Sequence, residues 1–263
     1  MTRTLRMLLI AFTLAAAPLS HASTKTTDIT DMWWIPSESG WGVNVILQYD
    51  TAFLTFFVYD KSNNPTWFVA TANFVGPSGA DLIWIGDLYV TTGPWFGGPF
   101  DPTTVVNRKA GSVTFRLTSI NQAELSYTVD GVVVNKVVQR QTWKNENLSG
   151  NYNGGYSFLN TGCTPMALNG VQEDVGTIVV NHTGTSFSAA FDGANSSCTF
   201  GGSYNEMGKL GNVTGNYNCT DGTAGTFDLV EASGTISGFS GRMSGRSQFC
   251  QWTGTFGGVV RSQ

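Results

Sequence analysis

The chain has 263 residues, 41% hydrophobic and only 12% charged, with 18 acidic against 14 basic side chains and a net charge of −4. That balance argues against a nucleic-acid partner, because phosphate binding needs a basic face. The charged share is about half that of an ordinary globular domain, so solubility rests on Asn, Ser, Thr and Gly, and the length allows one large or two small domains.

Arg3 and Arg6 open the chain, and an uncharged apolar run follows from Met7 to about Leu19, ending in Ser20-His21-Ala22. This is the pattern of a secretory signal peptide over residues 1–22. The run is too short to span a bilayer, which takes roughly 20 apolar residues. No later stretch is long and apolar enough, so no membrane span is expected. Removing the peptide leaves 263 − 22 = 241 residues, with 12 basic against 18 acidic and a net charge near −6. The expected location is secreted, periplasmic or on the cell surface.

The remaining chain changes character near Asn145. Seven of its eight tryptophans precede that residue, while all four cysteines and 22 of the 32 glycines follow it. We read two tandem antiparallel all-β domains, 31–145 and 146–263, joined at Lys144-Asn145-Glu146-Asn147. Short β-branched and aromatic runs alternate with turn residues, as in small up-and-down barrels.

In the first domain, strands are predicted at 41–49, 51–59, 66–74, 81–91, 112–119, 122–129 and 132–140. Asp130-Gly131 marks a tight hairpin. In strand 51–59, Phe53, Phe57 and Tyr59 share one face and Leu54, Phe56 and Val58 the other. Apolar residues on both faces predict that both are covered, one by the core and one by the second domain or another chain, which leaves an oligomer open. The segment 92–107 is a long connection rich in Gly, Pro and aromatics, and connections of that length are usually functional or disordered. Its Trp95, Phe96 and Phe100 are either core, as a lid on the barrel mouth, or an exposed patch that marks an interaction site.

In the second domain, eight strands are predicted at 150–159, 175–181, 185–192, 197–205, 211–219, 225–231, 234–243 and 248–260. An even cysteine count in an exported chain implies disulfides, and the spacings are too long for a zinc site. With Gly208-Lys209 as a two-residue type II′ turn, Met207 faces Leu210, Phe200 faces Tyr217 and Cys198 faces Cys219. Closing an eight-strand meander makes the first and last strands neighbours and brings Cys163 to Cys250. The expected bridges are therefore Cys198–Cys219 and Cys163–Cys250. The alternative, Cys163–Cys198 with Cys219–Cys250, lacks this register.

Four motifs stand in order in the first domain: Trp33-Trp34-Ile35-Pro36-Ser37-Glu38-Ser39-Gly40-Trp41-Gly42; Tyr59-Asp60 with Pro65-Thr66-Trp67; Thr92-Gly93-Pro94-Trp95-Phe96-Gly97-Gly98-Pro99-Phe100-Asp101-Pro102; and Arg140-Gln141-Thr142-Trp143. This order resembles a group of secreted proteobacterial proteins of unknown function in which a Gly- and Cys-rich β domain follows. The resemblance implies an exported context and carries no catalytic residues. The likeness to avidin-type and lipocalin-type barrels rests on strand count alone, and fold does not carry function.

Chemistry is sparse. His182, the one histidine of the mature chain, is expected as a solvated turn residue. Gly238-Phe239-Ser240-Gly241 has the wrong spacing for a nucleophile elbow, and no metalloprotease, P-loop, EF-hand or dinucleotide motif occurs. Glu38 and Asp87 are the only suggestive carboxylate pair for glycosidase chemistry, but they lack a fixed spacing and read better as an ordinary loop carboxylate and an outward-facing strand residue. We expect no catalytic residue and no cofactor or metal. The five Asn-x-Ser/Thr sequons at Asn147, Asn181, Asn195, Asn212 and Asn218 read as turn composition. The leading expectation is a non-enzymatic binding module with a protein or glycan partner, its site a rim of Glu38, Trp41, Trp95, Phe96 and Phe100. The alternatives are a carbohydrate-binding protein, or a hydrolase or protease inhibitor whose protruding segment would be Ser23–Thr30.

Overall fold

A computed structural model describes residues 27–261; the signal peptide expected over 1–22 lies outside them. The described residues build two closed antiparallel barrels of eight strands each, with neighbours in sequence paired throughout. The first comprises β1 (Asp31–Trp34), β2 (Gly42–Gln48), β3 (Thr51–Tyr59), β4 (Pro65–Ser78), β5 (Asp81–Thr92), β6 (Val106–Ser119), β7 (Gln122–Val129) and β8 (Val132–Arg140). The second comprises β9 (Gly150–Thr161), β10 (Gly170–Thr183), β11 (Ser186–Gly193), β12 (Ser197–Met207), β13 (Leu210–Cys219), β14 (Ala224–Thr235), β15 (Gly238–Ser247) and β16 (Gln251–Val260).

Strict alternation builds the first barrel. In β7, Ala123, Leu125 and Tyr127 are buried while Glu124 is exposed, because successive side chains leave opposite faces of a strand. Aromatic rings fill the interior: Trp33 meets Phe115 at 5.1 Å between centroids, and Phe115 meets Trp84 at 6.3 Å. The sequence-predicted strands miss β1, which closes the barrel by pairing Trp33 with Arg140 and Trp34 with Gln139. Four residues are too few to show a period. β6 also begins at Val106 instead of 112, which shortens the aromatic connection to 93–105.

The expected cover over β3 is absent among the described residues. Phe53, Phe57 and Tyr59 face solvent at 43%, 46% and 57% exposure. The second barrel docks at the barrel's end and leaves this wall open.

That junction is built around Arg140, which is only 2% exposed. Its guanidinium lies 4.7 Å from the Trp33 ring centroid. It donates to the carbonyls of Ile120 (2.6 Å) and Asp28 (2.6 Å) and to Asp31 Oδ2 (3.2 Å). Asp31 Oδ2 also accepts from the Lys209 amide at 2.9 Å, and Thr142 Oγ1 accepts from the Gly208 amide at 3.1 Å. The β12–β13 turn thus plugs into the foot of the first barrel. Gly208 has φ +65°, and a Cβ there would fall 2.2 Å from Asp31 Oδ2, so conformation and space both require glycine.

The second barrel follows the predicted register. Met207 pairs with Leu210, Phe200 with Tyr217 and Cys198 with Cys219. Disulfides join Cys198 to Cys219 and Cys163 to Cys250. The second follows from closure, since β9 and β16 pair with Thr161 opposite Gln251. Both bridges sit at the end remote from the first barrel.

Candidate functional site

Glu38 and Trp41 lie in the β1–β2 connection, and Trp95, Phe96 and Phe100 in the β5–β6 connection. β1 and β5 run in the same direction, so both connections open at the end of the first barrel away from the junction. Glu38 Oε2 accepts from Trp41 Nε1 at 2.9 Å and from Lys136 Nζ at 2.7 Å, and Lys136 Nζ stands 5.5 Å from the Trp41 ring centroid. The Lys136 ammonium and the indole N–H hold the Glu38 carboxyl below the usual carboxylate range. Trp41 is half-buried and packs on the barrel core.

The other three aromatics do not form a lid. Trp95 is 70% exposed, Phe96 95% and Phe100 69%. The connection is ordered by its own contacts. The Gly98 amide donates to the Trp95 carbonyl at 3.2 Å, the indole lies against Gly97, and Asp101 accepts from the Thr103 amide at 2.9 Å. The structure therefore joins Glu38 to Trp41 and places the Trp95 loop at the same end. Among the described residues, no hydrogen bond or ring contact links the two groups.

Below this rim the outer wall of β2–β5 carries a second apolar surface. Phe57 stands directly opposite Trp67 across β3 and β4, Ile46 opposite Phe53 across β2 and β3, and Tyr59 opposite Pro65. Trp67 is 49% exposed. Gly40, Thr55, Phe57, Tyr59, Pro65 and Trp67 line an open concavity of about 500 Å³. The Tyr59 hydroxyl donates to the Gly40 carbonyl at 3.0 Å, tying this wall to the connection that carries Glu38 and Trp41. The sequence reading found the wall's β3 half from the Phe53, Phe57, Tyr59 alternation. It missed Trp67 and Ile46 as members, although the run Trp67-Phe68-Val69, apolar on both faces, held that signal.

Catalytic chemistry gains no support. Glu38 is paired with Lys136 and Asp87 with Lys109 at 2.7 Å, so each carboxylate of the suggested pair has its own cation. His182 corrects the expectation of a solvated turn residue. β10 runs to Thr183, two residues beyond the predicted end, so His182 continues the inward alternation of Ile178 and Val180 and is 5% exposed. Its Nδ1 accepts from the Leu148 amide at 3.3 Å and its Nε2 lies 2.9 Å from the Gly184 carbonyl. Both ring nitrogens are thereby occupied within the barrel. The protruding inhibitor segment is also corrected for its described part. Ile29 is fully buried and its carbonyl accepts from Trp33 Nε1 at 3.0 Å, and Asp28 and Thr30 bind Arg140. No group of three or more metal-ligating side chains occurs among the described residues.

A scan against protein-family models and a search of curated proteins both returned no match.

Proposed function

We propose that this is an exported, non-enzymatic binding module whose first barrel engages a protein partner through the β2–β5 wall and the adjoining rim. The observation that carries this reading is the Phe57–Trp67 cross-strand pair, flanked by Phe53, Tyr59 and Ile46, standing in solvent on a regular sheet. Contiguous exposed apolar surface of this kind marks interaction sites, and aromatic residues dominate binding hot spots. Trp95, Phe96 and Phe100 add exposed aromatic surface at the same end of the barrel, and the connection carrying Glu38 and Trp41 adjoins the wall through the Tyr59–Gly40 bond. Export is supported by the N-terminal sequence pattern, by the motif resemblance, and by two disulfides, which belong to oxidising compartments. No helix among the described residues is long and apolar enough to cross a membrane.

Carbohydrate binding has one observation in its favour: the concavity between Tyr59 and Trp67 includes the polar residue Thr55, on the same face of β3 as Phe57. The test is capture of partners from the native secretome, beside a glycan array, with Phe57→Ala/Trp67→Ala compared with Trp143→Ala. Trp143 is more exposed, at 73%, but lies at the junction. Loss of a protein partner in the double variant alone supports the proposal. Loss of glycan binding alone favours the second reading, self-association lost by the variant makes the partner a second copy, and equal behaviour of the two variants refutes the wall as the site.

A further inference from the structure

The second barrel, for which the sequence indicated no site, has a hollow mouth. At the end remote from the first barrel a cavity of about 270 Å³ is walled by Tyr156, Phe158, Phe200, Tyr217 and Trp252. Two aromatic stacks form it. Tyr156 lies on Phe158 at 4.4 Å and 11°, and Phe158 on Trp252 at 4.5 Å and 29°. Across the mouth Phe200 stacks on Tyr217 at 5.7 Å and 24°. Tyr217 and Trp252 meet edge to face at 5.6 Å, and Trp252 Nε1 donates to the Tyr217 hydroxyl at 3.2 Å. Glycine makes room for the indole, since a Cβ at Gly245 would fall 2.2 Å from the Trp252 ring.

The rim is fixed covalently. Cys198–Cys219 ties β12 to β13, and Cys163–Cys250 ties the β9–β10 connection to the β15–β16 turn. Leu168 from that connection and Phe249 from that turn complete the opening.

Polarity and charge narrow the occupant. Asn160 lines the cavity at 8% exposure, and its amide nitrogen makes one long bond, 3.4 Å to the Leu168 carbonyl. Its amide oxygen accepts no hydrogen bond from another described residue and is not sealed from solvent, so it is open to a donor. No Lys, Arg or His lines the cavity, and its one charged residue is Asp221. Asp174, opposite Tyr156 in the β9–β10 register, is a second carboxylate near that ring, outside the lining itself. It is 4% exposed and accepts from the amides of Val175, Ala194 and Asn195 at 2.9, 3.1 and 3.0 Å. Burial raises its pKa, but these bonds outweigh it and hold the carboxyl below its usual range, so it stays ionised. Aromatic faces, a free carbonyl acceptor and carboxylates without a cation are the complement of an organic ammonium group.

We infer that the mouth of the second barrel is a binding site for a small organic cation with a single-ring apolar body. The volume fits that size: about 150 Å³ suffices for benzene, and drug-sized ligands fill pockets of about 300–1,000 Å³. The ring enters between the two stacks, and the ammonium group donates to Asn160 Oδ1 within the field of the Asp221 carboxylate that shares the lining. The site is separate from the wall of the first barrel, so either can fail without the other.

The test is calorimetric titration of the mature protein with phenethylammonium, phenethyl alcohol and phenylacetate, three probes that share one body and differ in charge. The cation is expected to bind about three- to thirtyfold tighter than the alcohol, the range that desolvated cation–π contacts support. The anion is expected not to bind. Asp221→Asn should weaken the cation about two- to fivefold and leave the alcohol unchanged, as for a partly exposed charge pair. Leu168→Arg, which places a positive charge at an exposed rim position, should abolish cation binding with an unchanged melting curve. Equal affinity for cation and alcohol, tighter binding of the anion, no binding of any probe, or indifference to both variants overturns the assignment.

Discussion

Replacing Arg140 with methionine should unlatch the first barrel. The side chain is fully buried and its partner Asp31 is 7% exposed, and it joins β8 to the segment before β1 and to the β6–β7 turn at once. Methionine keeps the apolar stem over Trp33 but removes the hydrogen bonds to Ile120, Asp28 and Asp31. The carbonyls lose their donor in a buried setting, and Asp31 keeps only the amides of Met32 and Lys209. Removing one partner of a buried ion pair costs about 3–5 kcal/mol. At about 3–5 °C per kcal/mol for a domain of this size, the first barrel's melting transition should fall by about 10–20 °C. Arg140→Lys should fall between, because an ammonium reaches fewer of these acceptors and stacks less well on Trp33. Differential scanning calorimetry of the mature chain reads both. A drop of less than about 3 °C for the methionine variant, comparable to a surface substitution, would refute the latch.

Two further outcomes follow from exposure and from charge. Trp95→Ala/Phe96→Ala should shift melting by no more than about 2 °C, since surface changes stay within about 0.5 kcal/mol; a larger fall in a thermal melt would show that the loop is core. Burial raises the Glu146 carboxyl above its ordinary value against the pull of Lys144, and burial raises Glu206 against the hydrogen bonds it accepts from the Glu146 amide and the Tyr204 hydroxyl. A carboxyl whose pKa is raised by folding adds stability that is fully present below its unfolded value and lost as pH rises through the folded one. Glu146→Gln should therefore melt above wild type at neutral pH, with the gap closing toward pH 4, and a gap that widens on acidification would contradict it.

What the sequence revealed and concealed follows from the range of the interactions involved. Most strands from β2 onward, the Asp130-Gly131 hairpin and the Cys198–Cys219 register were readable because alternation and a glycine turn are local signals, and one turn fixes a register for ten residues on either side; the β14–β15 turn was not, for it was expected between 231 and 234 and lies at Ile236-Ser237, where no glycine or proline marks it. Cys163–Cys250 was readable because closure is a property of the strand count. β1 was not, since its four residues are held by Arg140, more than a hundred positions away. The rim residues Glu38, Trp41, Trp95, Phe96 and Phe100 were legible as a set of conspicuous residues, and their same-end placement follows from strand direction. Their division into one ion-paired group and one free loop depends on Lys136, which no local pattern marks. The cup of the second barrel was hidden for a similar reason. Tyr156, Phe200, Tyr217 and Trp252 come from four different strands, and each reads alone as an ordinary inward aromatic.

The two barrels close by different chemistry, and that difference sets their response to reductant. In the first, the short β1 is held against β8 by Arg140, Trp33 and Ile29, with no cysteine. In the second, every strand is at least eight residues long and pairs on both sides, but 22 of the chain's 32 glycines follow Asn145, and glycine loses more backbone freedom on folding than any other residue. The bridges offset that loss. By the chain-entropy estimate, separations of 21 and 87 residues correspond to about 3 and about 5 kcal/mol. These sums are comparable with the whole stability of a small domain. In a thermal melt of the mature chain with and without reductant, one transition should stay in place and the other should fall by tens of degrees or vanish. Cys163→Ala/Cys250→Ala should cost more than Cys198→Ala/Cys219→Ala, because it releases the longer loop and the seam between β9 and β16. If the cysteine-free barrel is the one that moves, or if the two bridge variants melt alike, then the disulfides are ornaments on a barrel that its core and ladders already hold, and the division of labour between the two halves is wrong.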